Sequence, residues 1–439
     1  NKNDRIAAEE KFKQAIKEDK KNPAVYTAIA AAYVEHKLFD KATAMYGEAI
    51  NKKRNYPPAF VVEGDMLTQM GKTGDACPKY ANAYYFDAKY KLAYLKEARA
   101  YKSINTARAL ELLDELSKID PDYLPACLEY VDIYYPKYFP KAIPMYEKFI
   151  NLPGISTKHL ENYAASLYFS KEYLRSLDEI KKVLQTDPND FVMRRLEFYN
   201  HFDLGNAKTA LALGNKFFTS KEEKDEYIAQ DYIYYANLLS KNKQDLEAIN
   251  AYKKAVELDS TKIEFYKEIS TSYERLENYA DAIAYFQKYM DATESPKVSE
   301  YYSFGRSYYQ AGTQMGVKGD TIAQKEYLQK ADSLFNIVTK KNSDSHLGYI
   351  WRARSVASLD PELTEGAAKP LYEKALEVLL KDADAADKRR KELTECYQYL
   401  GNYYYLNKDK ENTLLYFNKM LEINPTNKEM EKVVKELFK

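Results

Sequence analysis

Apolar and small residues recur along the chain on a helical schedule, not an alternating one. An aromatic is followed at +3 and +4 by a larger and then a small residue, and at +7 by another large one. After a polar break, a small residue stands at +16, an aromatic at +20, a small or apolar residue at +23, and often a proline near +28. The first good copy is Tyr26, Ile29, Ala30, Tyr33, Ala42, Tyr46 and Ala49; another is Tyr232, Tyr235, Ala236, Leu239, Ala248, Tyr252 and Ala255. The fullest is Tyr397, Leu400, Gly401, Tyr404, Thr413, Phe417, Met420 and Pro425. Offsets of three, four and seven share one helix face, so each half of the pattern predicts an amphipathic helix. Asp120-Pro121, Asp187-Pro188 and Asn424-Pro425 predict stops, because the residue before proline is disfavoured in a helix. The small residue at +4 lets a second helix approach closely, and the large ones fill the groove between turns. Such a hairpin cannot bury its apolar face alone and must stack on neighbours.

At a period of about 34 residues, these copies resemble the tetratricopeptide repeat (TPR) family over nearly the whole chain. Counted by this pattern there are about eleven helix pairs. The resemblance implies an all-α, right-handed superhelical solenoid of stacked antiparallel helix pairs, with a concave groove lined mainly by first helices. Residues 1–22 read as a partial repeat (a lone second helix with Ala8, Phe12 and Ala15), 23–219 as an N-terminal lobe, 220–427 as a C-terminal lobe and 428–439 as a capping helix.

Three departures from the period mark where the array changes. The copy built on Arg194, Glu197, Phe198, His201, Ala210, Gly214 and Phe217 is degenerate, and the polar connector Thr219 to Asp225 after it is the expected lobe boundary. After Tyr301, Phe304, Gly305 and Tyr308, extra residues near 311–324 carry Gly312, Gly316 and Gly319 and an expected N-cap at Asp320. They are expected to form a flexible insertion that contacts a ligand or partner, since insertions in repeat arrays map to loops. The third departure, Lys381 to Glu392, is a charged spacer expected to be helical.

Composition narrows the function. Lys+Arg and Asp+Glu are both 66, so the 30% charged chain has no net charge with which to attract nucleic acid or an anionic membrane. Mean hydropathy is −0.63, and the longest apolar run, Ala28 to Val34, is far short of the roughly 20 residues of a membrane span. Cys77, Cys127 and Cys396 form no CxxC pair, and His36, His159, His201 and His346 fall in four different repeats. A shared metal or catalytic centre is therefore not expected, nor a cofactor. Gly71-Lys72-Thr73 has the tail of a phosphate loop, but Gly64 is too far upstream and no strand precedes it. It reads as an inter-helix turn. Tyrosine is the outlier, at 43 residues against 18 Phe and 1 Trp. Many of these tyrosines fall on the packing positions of the repeat.

In the family this chain resembles, groove-facing residues stand one, five and eight positions after the leading aromatic. No first helix carries the Lys and Asn, four apart, with which some relatives clamp a peptide carboxylate; the pairs here include Thr27/Ala31, Lys267/Thr271, Tyr302/Arg306 and Gln398/Asn402. The projection gathers two patches. One holds Tyr302, Arg306, Tyr309, Arg354 (near Trp351), Asn402 and Tyr405; the secondary one holds Tyr168, Arg195, Tyr199 and Asn237, with Phe169 and Phe202. Arginine and tyrosine dominate binding energy at many interfaces, and two arginines would suit an acidic or C-terminal carboxylate group. The function expected is a non-catalytic scaffold or adaptor holding a protein or peptide in its groove. The alternative is an exported or periplasmic capture protein that binds glycan or peptide through groove tyrosines. The pattern opens in mid-repeat, which predicts at least one further helix upstream and leaves room for a signal or lipid-anchor segment. The Lys/Tyr/Asn-rich composition, similar to that of exported repeat proteins, favours the periplasm over the cytoplasm.

Overall fold

A computed structural model describes residues 2–219, 226–382 and 384–437. Among the described residues there are helices and turns and no strand. The chain divides into two compact units, Asn1–Lys221 and Glu222–Lys439. The polar connector from Ser220 to Asp225 lies outside the described residues.

Unit 1 opens with α1 (Lys2–Glu18). Three helix pairs follow: α2 (Pro23–Glu35) with α3 (Phe39–Lys52), α4 (Pro57–Gln69) with α5 (Thr73–Phe86), and α6 (Lys91–Tyr101) with α7 (Thr106–Ile119). The next three are α8 (Leu124–Tyr134) with α9 (Phe139–Glu147), α10 (Thr157–Phe169) with α11 (Tyr173–Thr186), and α12 (Phe191–Asp203) with α13 (Ala207–Thr219). The degenerate copy thus folds as an ordinary pair. Unit 2 begins with α14 (Ala229–Lys241) and α15 (Asp245–Leu258), then α16 (Glu264–Arg275) and α17 (Tyr279–Ala292). The long pair α18 (Val298–Lys318) and α19 (Thr321–Lys341) leads to α20 (His346–Ala357) and α21 (Lys369–Leu379). A single turn, α22 (Ala385–Lys388), precedes α23 (Arg390–Leu406), α24 (Lys410–Ile423) and the closing α25 (Lys428–Leu437). The charged spacer is therefore helical only in part, because Arg389 breaks the run before α23.

Each first helix packs on its own second helix and, within each unit, each second helix packs on the first helix of the next pair; in unit 1 successive first helices also touch, as α2 does α4 and α4 does α6. Both units are thus all-α solenoids of stacked antiparallel pairs. Starts are set by side chains that satisfy the free amides of the first turn: Asn22 caps Ala24 N at 3.0 Å, with Pro23 at the first helical position. Asp190 caps Met193 N at 2.8 Å, and Asp409 caps Asn412 N at 3.1 Å.

Eight of the first helices end alike. Leu38 N donates to Tyr33 O at 2.8 Å, Lys72 N to Leu67 O at 2.9 Å, Glu172 N to Leu167 O at 2.9 Å and Asp409 N to Tyr404 O at 2.9 Å. These are six-to-one closures around a residue in the left-handed region. Gly71, Gly205 and Gly319 fill that position in three pairs, but Lys37, Lys171, Lys243, Glu277 and Lys408 fill it in five, with φ between 56° and 64°. A side chain there meets a steric cost that glycine avoids. Lys171→Gly or Lys408→Gly is expected to raise stability by about 0.5–1 kcal/mol, the strain relieved less the entropy glycine returns to the unfolded chain. Chemical denaturation checks this, and an unchanged or lowered midpoint would refute it.

The pattern's aromatics are mostly tyrosine for a reason visible in the packing. Their rings are buried while the hydroxyl reaches a polar group at the rim, which a phenol does and phenylalanine cannot. Tyr80, 2% exposed, donates to Asp65 Oδ1 at 2.8 Å, and Tyr252 donates to Asn237 Oδ1 at 2.7 Å. Tyr130 donates to Asp114 in the same way.

The expected flexible insertion is corrected. Residues 311–324 lengthen both arms of one hairpin, so that α18 and α19 have 21 residues each against 13 in α14 and 14 in α15. Gly312 and Gly316 sit inside α18, where a Cβ would come within 2.7 Å of Leu328 Cγ and 2.6 Å of Gln324 Nε2. These glycines serve close helix contact and not loop freedom. The turn itself is Gly319 in the left-handed region followed by Asp320, whose side chain caps Ala323 N at 3.0 Å.

Candidate functional site

Trp351, half-buried on α20, is the centre of the most elaborate first-helix cluster in unit 2. Phe335 from α19 lies nearly parallel to it, with centroids 5.6 Å apart and an interplanar angle of 30°. Tyr302 and Tyr309, seven residues apart on α18, stand edge-on to it at 6.0 and 5.2 Å. Edge-to-face contact sets the positive ring edge against the negative face and is favourable. Two guanidinium groups also lie over the indole, that of Arg306 at 5.4 Å and that of Arg354 at 4.6 Å. Thus Tyr302, Arg306, Tyr309 and Arg354 do meet around one ring. Asn402 and Tyr405 are exposed on α23 and are not among the side chains around Trp351.

The two arginines differ in what they have left to offer. Arg354 is forked onto Glu395 of α23, Nε to Oε1 at 2.8 Å and NH2 to Oε2 at 2.6 Å, and Tyr372 donates to the same Oε1 at 3.1 Å. Glu395 therefore neutralises Arg354, one of the expected groove cations. Arg306 is exposed and makes no ion pair among the described residues. Glu395 went unnoticed in the sequence because it lies two residues before the leading aromatic Tyr397, outside the groove positions of its own helix.

Tyr168 and Tyr199 are buried at 8% and 5% exposure, and Tyr168 donates to Asp203 Oδ2 at 2.8 Å. Arg195 lies over the Phe191 ring at 4.8 Å, while Asn237 belongs to unit 2, where it accepts from Tyr252. The residue left outside is Phe169, 55% exposed and stacked on Phe139 at 4.7 Å. Elsewhere in unit 1, first-helix charges pair across neighbouring helices. Lys96 meets Asp65 at 2.9 Å, Arg99 meets Glu129 at 2.7 Å, and Lys102 meets Glu129 at 2.9 Å and Asp132 at 3.1 Å.

Among the described residues no group of three or more His, Cys, Asp or Glu could hold a metal ion, and no helix is long and apolar enough to cross a membrane. The three cysteines are buried thiols, and burial pushes that of Cys396 up to about 12. Glu97 on α6 is 4% exposed, and its Oε2 has no hydrogen-bond partner among the described residues. Burial raises its carboxyl above the ordinary range, while the Tyr84 hydroxyl and Arg108 pull it partly back. A carboxyl raised by folding favours the folded state below its unfolded pKa of about 4.3, and that contribution is lost as pH rises through the raised value. Glu97→Gln is therefore expected to flatten the pH dependence of unit 1 above the ordinary carboxylate range and to raise its stability at pH 7. Denaturation at pH 4 and pH 7 checks this; an unchanged pH slope would refute it.

No protein-family model matches the sequence, and no curated protein matches it. Solved structures do match. The C-terminal part of a TPR repeat-containing protein from Cytophaga hutchinsonii is 28% identical, covering 62% of this chain and 98% of that one with a TM-score of 0.48. The Naa15/Naa10 structure bound to HypK-THB is 11% identical, covering 90% of this chain and 68% of that one at 0.47. A tetratricopeptide repeat protein from Parabacteroides merdae is 17% identical, covering 60% of this chain and 98% of that one at 0.33.

Proposed function

We propose that this chain, a helix-pair repeat protein of the tetratricopeptide type, is a non-catalytic scaffold holding a protein or peptide partner on the first helices of unit 2. One observation carries the reading: Arg306, Tyr302 and Tyr309 gather on Trp351 at a surface where Arg306 is exposed and without a carboxylate partner among the described residues. Half-buried aromatics with an exposed arginine offer large, rigid contact area and a directional donor at low entropic cost, the combination that dominates binding hot spots. Asn402 and Tyr405 extend the proposed surface along α23.

Photo-crosslinking tests this in the source organism. A benzophenone amino acid at Tyr309 is expected to capture one defined protein, and the same group at the exposed second-helix position Lys330 is not. Equal capture at both positions, or sugars bound in place of protein, would overturn it.

A further inference from the structure

Four arginines stand between α16 and α20, and three of them already have a carboxylate. Arg275 Nε pairs with Asp245 Oδ1 at 2.9 Å, Arg352 Nε with Asp332 Oδ1 at 2.8 Å, and Arg354 with Glu395 through both oxygens. Arg306 is the fourth, and no carboxylate among the described residues lies within ion-pair distance of it. Glu274, on the preceding first helix, accepts from the Ser307 hydroxyl and not from Arg306. The Arg306 guanidinium nonetheless lies over the Trp351 ring, 5.4 Å from its centre. A guanidinium lying on an aromatic face keeps the N–H edge of its fork open for a planar acceptor, and its stacking lowers the entropy lost on pairing.

We infer that Arg306 takes a carboxylate of the partner, an Asp or Glu side chain whose flanking apolar residue rests against Tyr302 and Tyr309. This rests on the reading of unit 2 as a protein-binding surface. One unpaired guanidinium matches the single charge of a carboxylate in a bidentate pair. A phosphate dianion would want a second cation, and the neighbouring Arg354 is already neutralised by Glu395. Specificity then comes from an unpaired charge on a rigid platform, while Arg354 acts as a positioning residue that braces the indole.

A random dodecapeptide phage library selected on the full chain tests this, with binding followed by the fluorescence of Trp351, the only tryptophan in the sequence. Peptides recovered on the unaltered protein are expected to carry Asp or Glu beside Leu, Phe or Tyr. Arg306→Ala should weaken them about 10-fold or more, the usual worth of a hydrogen bond to a charged group, at an unchanged melting temperature. Arg306→Glu should instead prefer the same peptide with its acidic residue changed to Lys, a swap that loss of structure could not produce. Acid-poor peptides, or acidic ones indifferent to Arg306→Ala, would overturn the inference. If those peptides were still lost on Tyr309→Ala, the surface itself would stand. Recovery of no peptide on the unaltered protein would defeat both readings together.

Discussion

Arg354→Ala is expected to destabilise unit 2 by about 2–3 kcal/mol, whereas Arg306→Ala should change its stability by less than about 0.5 kcal/mol. Both guanidinium groups lie on the same indole, so the difference comes from what lies behind them. Arg354 and Glu395 are only 30% and 28% exposed and share two hydrogen bonds. Removing one partner leaves a largely desolvated charge without compensation, which costs more than the pair contributes. The expected loss stays at the low end because water still reaches a quarter to a third of each side chain. Glu395→Gln should recover part of the loss in the Arg354→Ala background, since it removes the stranded charge. Guanidinium chloride denaturation of the single and double variants measures this. Equal losses for the two alanine variants would show that the Glu395 contact does not hold the two first helices together.

A second large effect is expected at Gly401, where valine should destabilise by about 3 kcal/mol through overpacking. A Cβ at this position would lie 2.3 Å from Phe417 Cε1 and 2.5 Å from Cδ1, and Phe417 is 3% exposed, with no room to withdraw. Gly401→Ala should cost less, because alanine regains up to about 1 kcal/mol of helix propensity. Gly47 in α3 is the control. Nothing lies within 4 Å of its would-be Cβ, so Gly47→Ala should gain that propensity outright. Melting temperatures moving in opposite directions for Gly401→Val and Gly47→Ala would support the close-approach account. A neutral Gly401→Val would mean that the pair α23/α24 packs less tightly than the geometry requires.

Gly401 also shows what was legible in the sequence. Its place at +4 in the copy led by Tyr397 marked it as a contact position, and Gly64 against Tyr80 and Gly305 against Phe335 serve the same purpose. Turns, stops and pair boundaries were legible for a similar reason, since each is decided by residues a few positions apart. The insertion was misread because glycine serves both loops and close helix contacts. Only the partner, Leu328 for Gly312 and Gln324 for Gly316, distinguishes the two. The groove was legible in part. Projection on a helix brought Arg306, Arg354 and the tyrosines to one side, but it cannot say which opposite charge arrives from another repeat. Glu395 reaches Arg354 across 41 positions of sequence. At the central patch the same projection does not show how deeply Tyr168 and Tyr199 are buried among neighbouring rings.

The long hairpin has a consequence for how such a chain can change length. Its two arms exceed the ordinary first and second helices by nearly the same amount, about two helical turns. Whole turns return each added side chain to the facing arm, so Gly312 still meets Leu328. Growth or trimming here must therefore come as matched double segments. Excising two turns from both arms would leave an ordinary-sized pair in register, while excising them from one arm would strand the other's inner stripe in water.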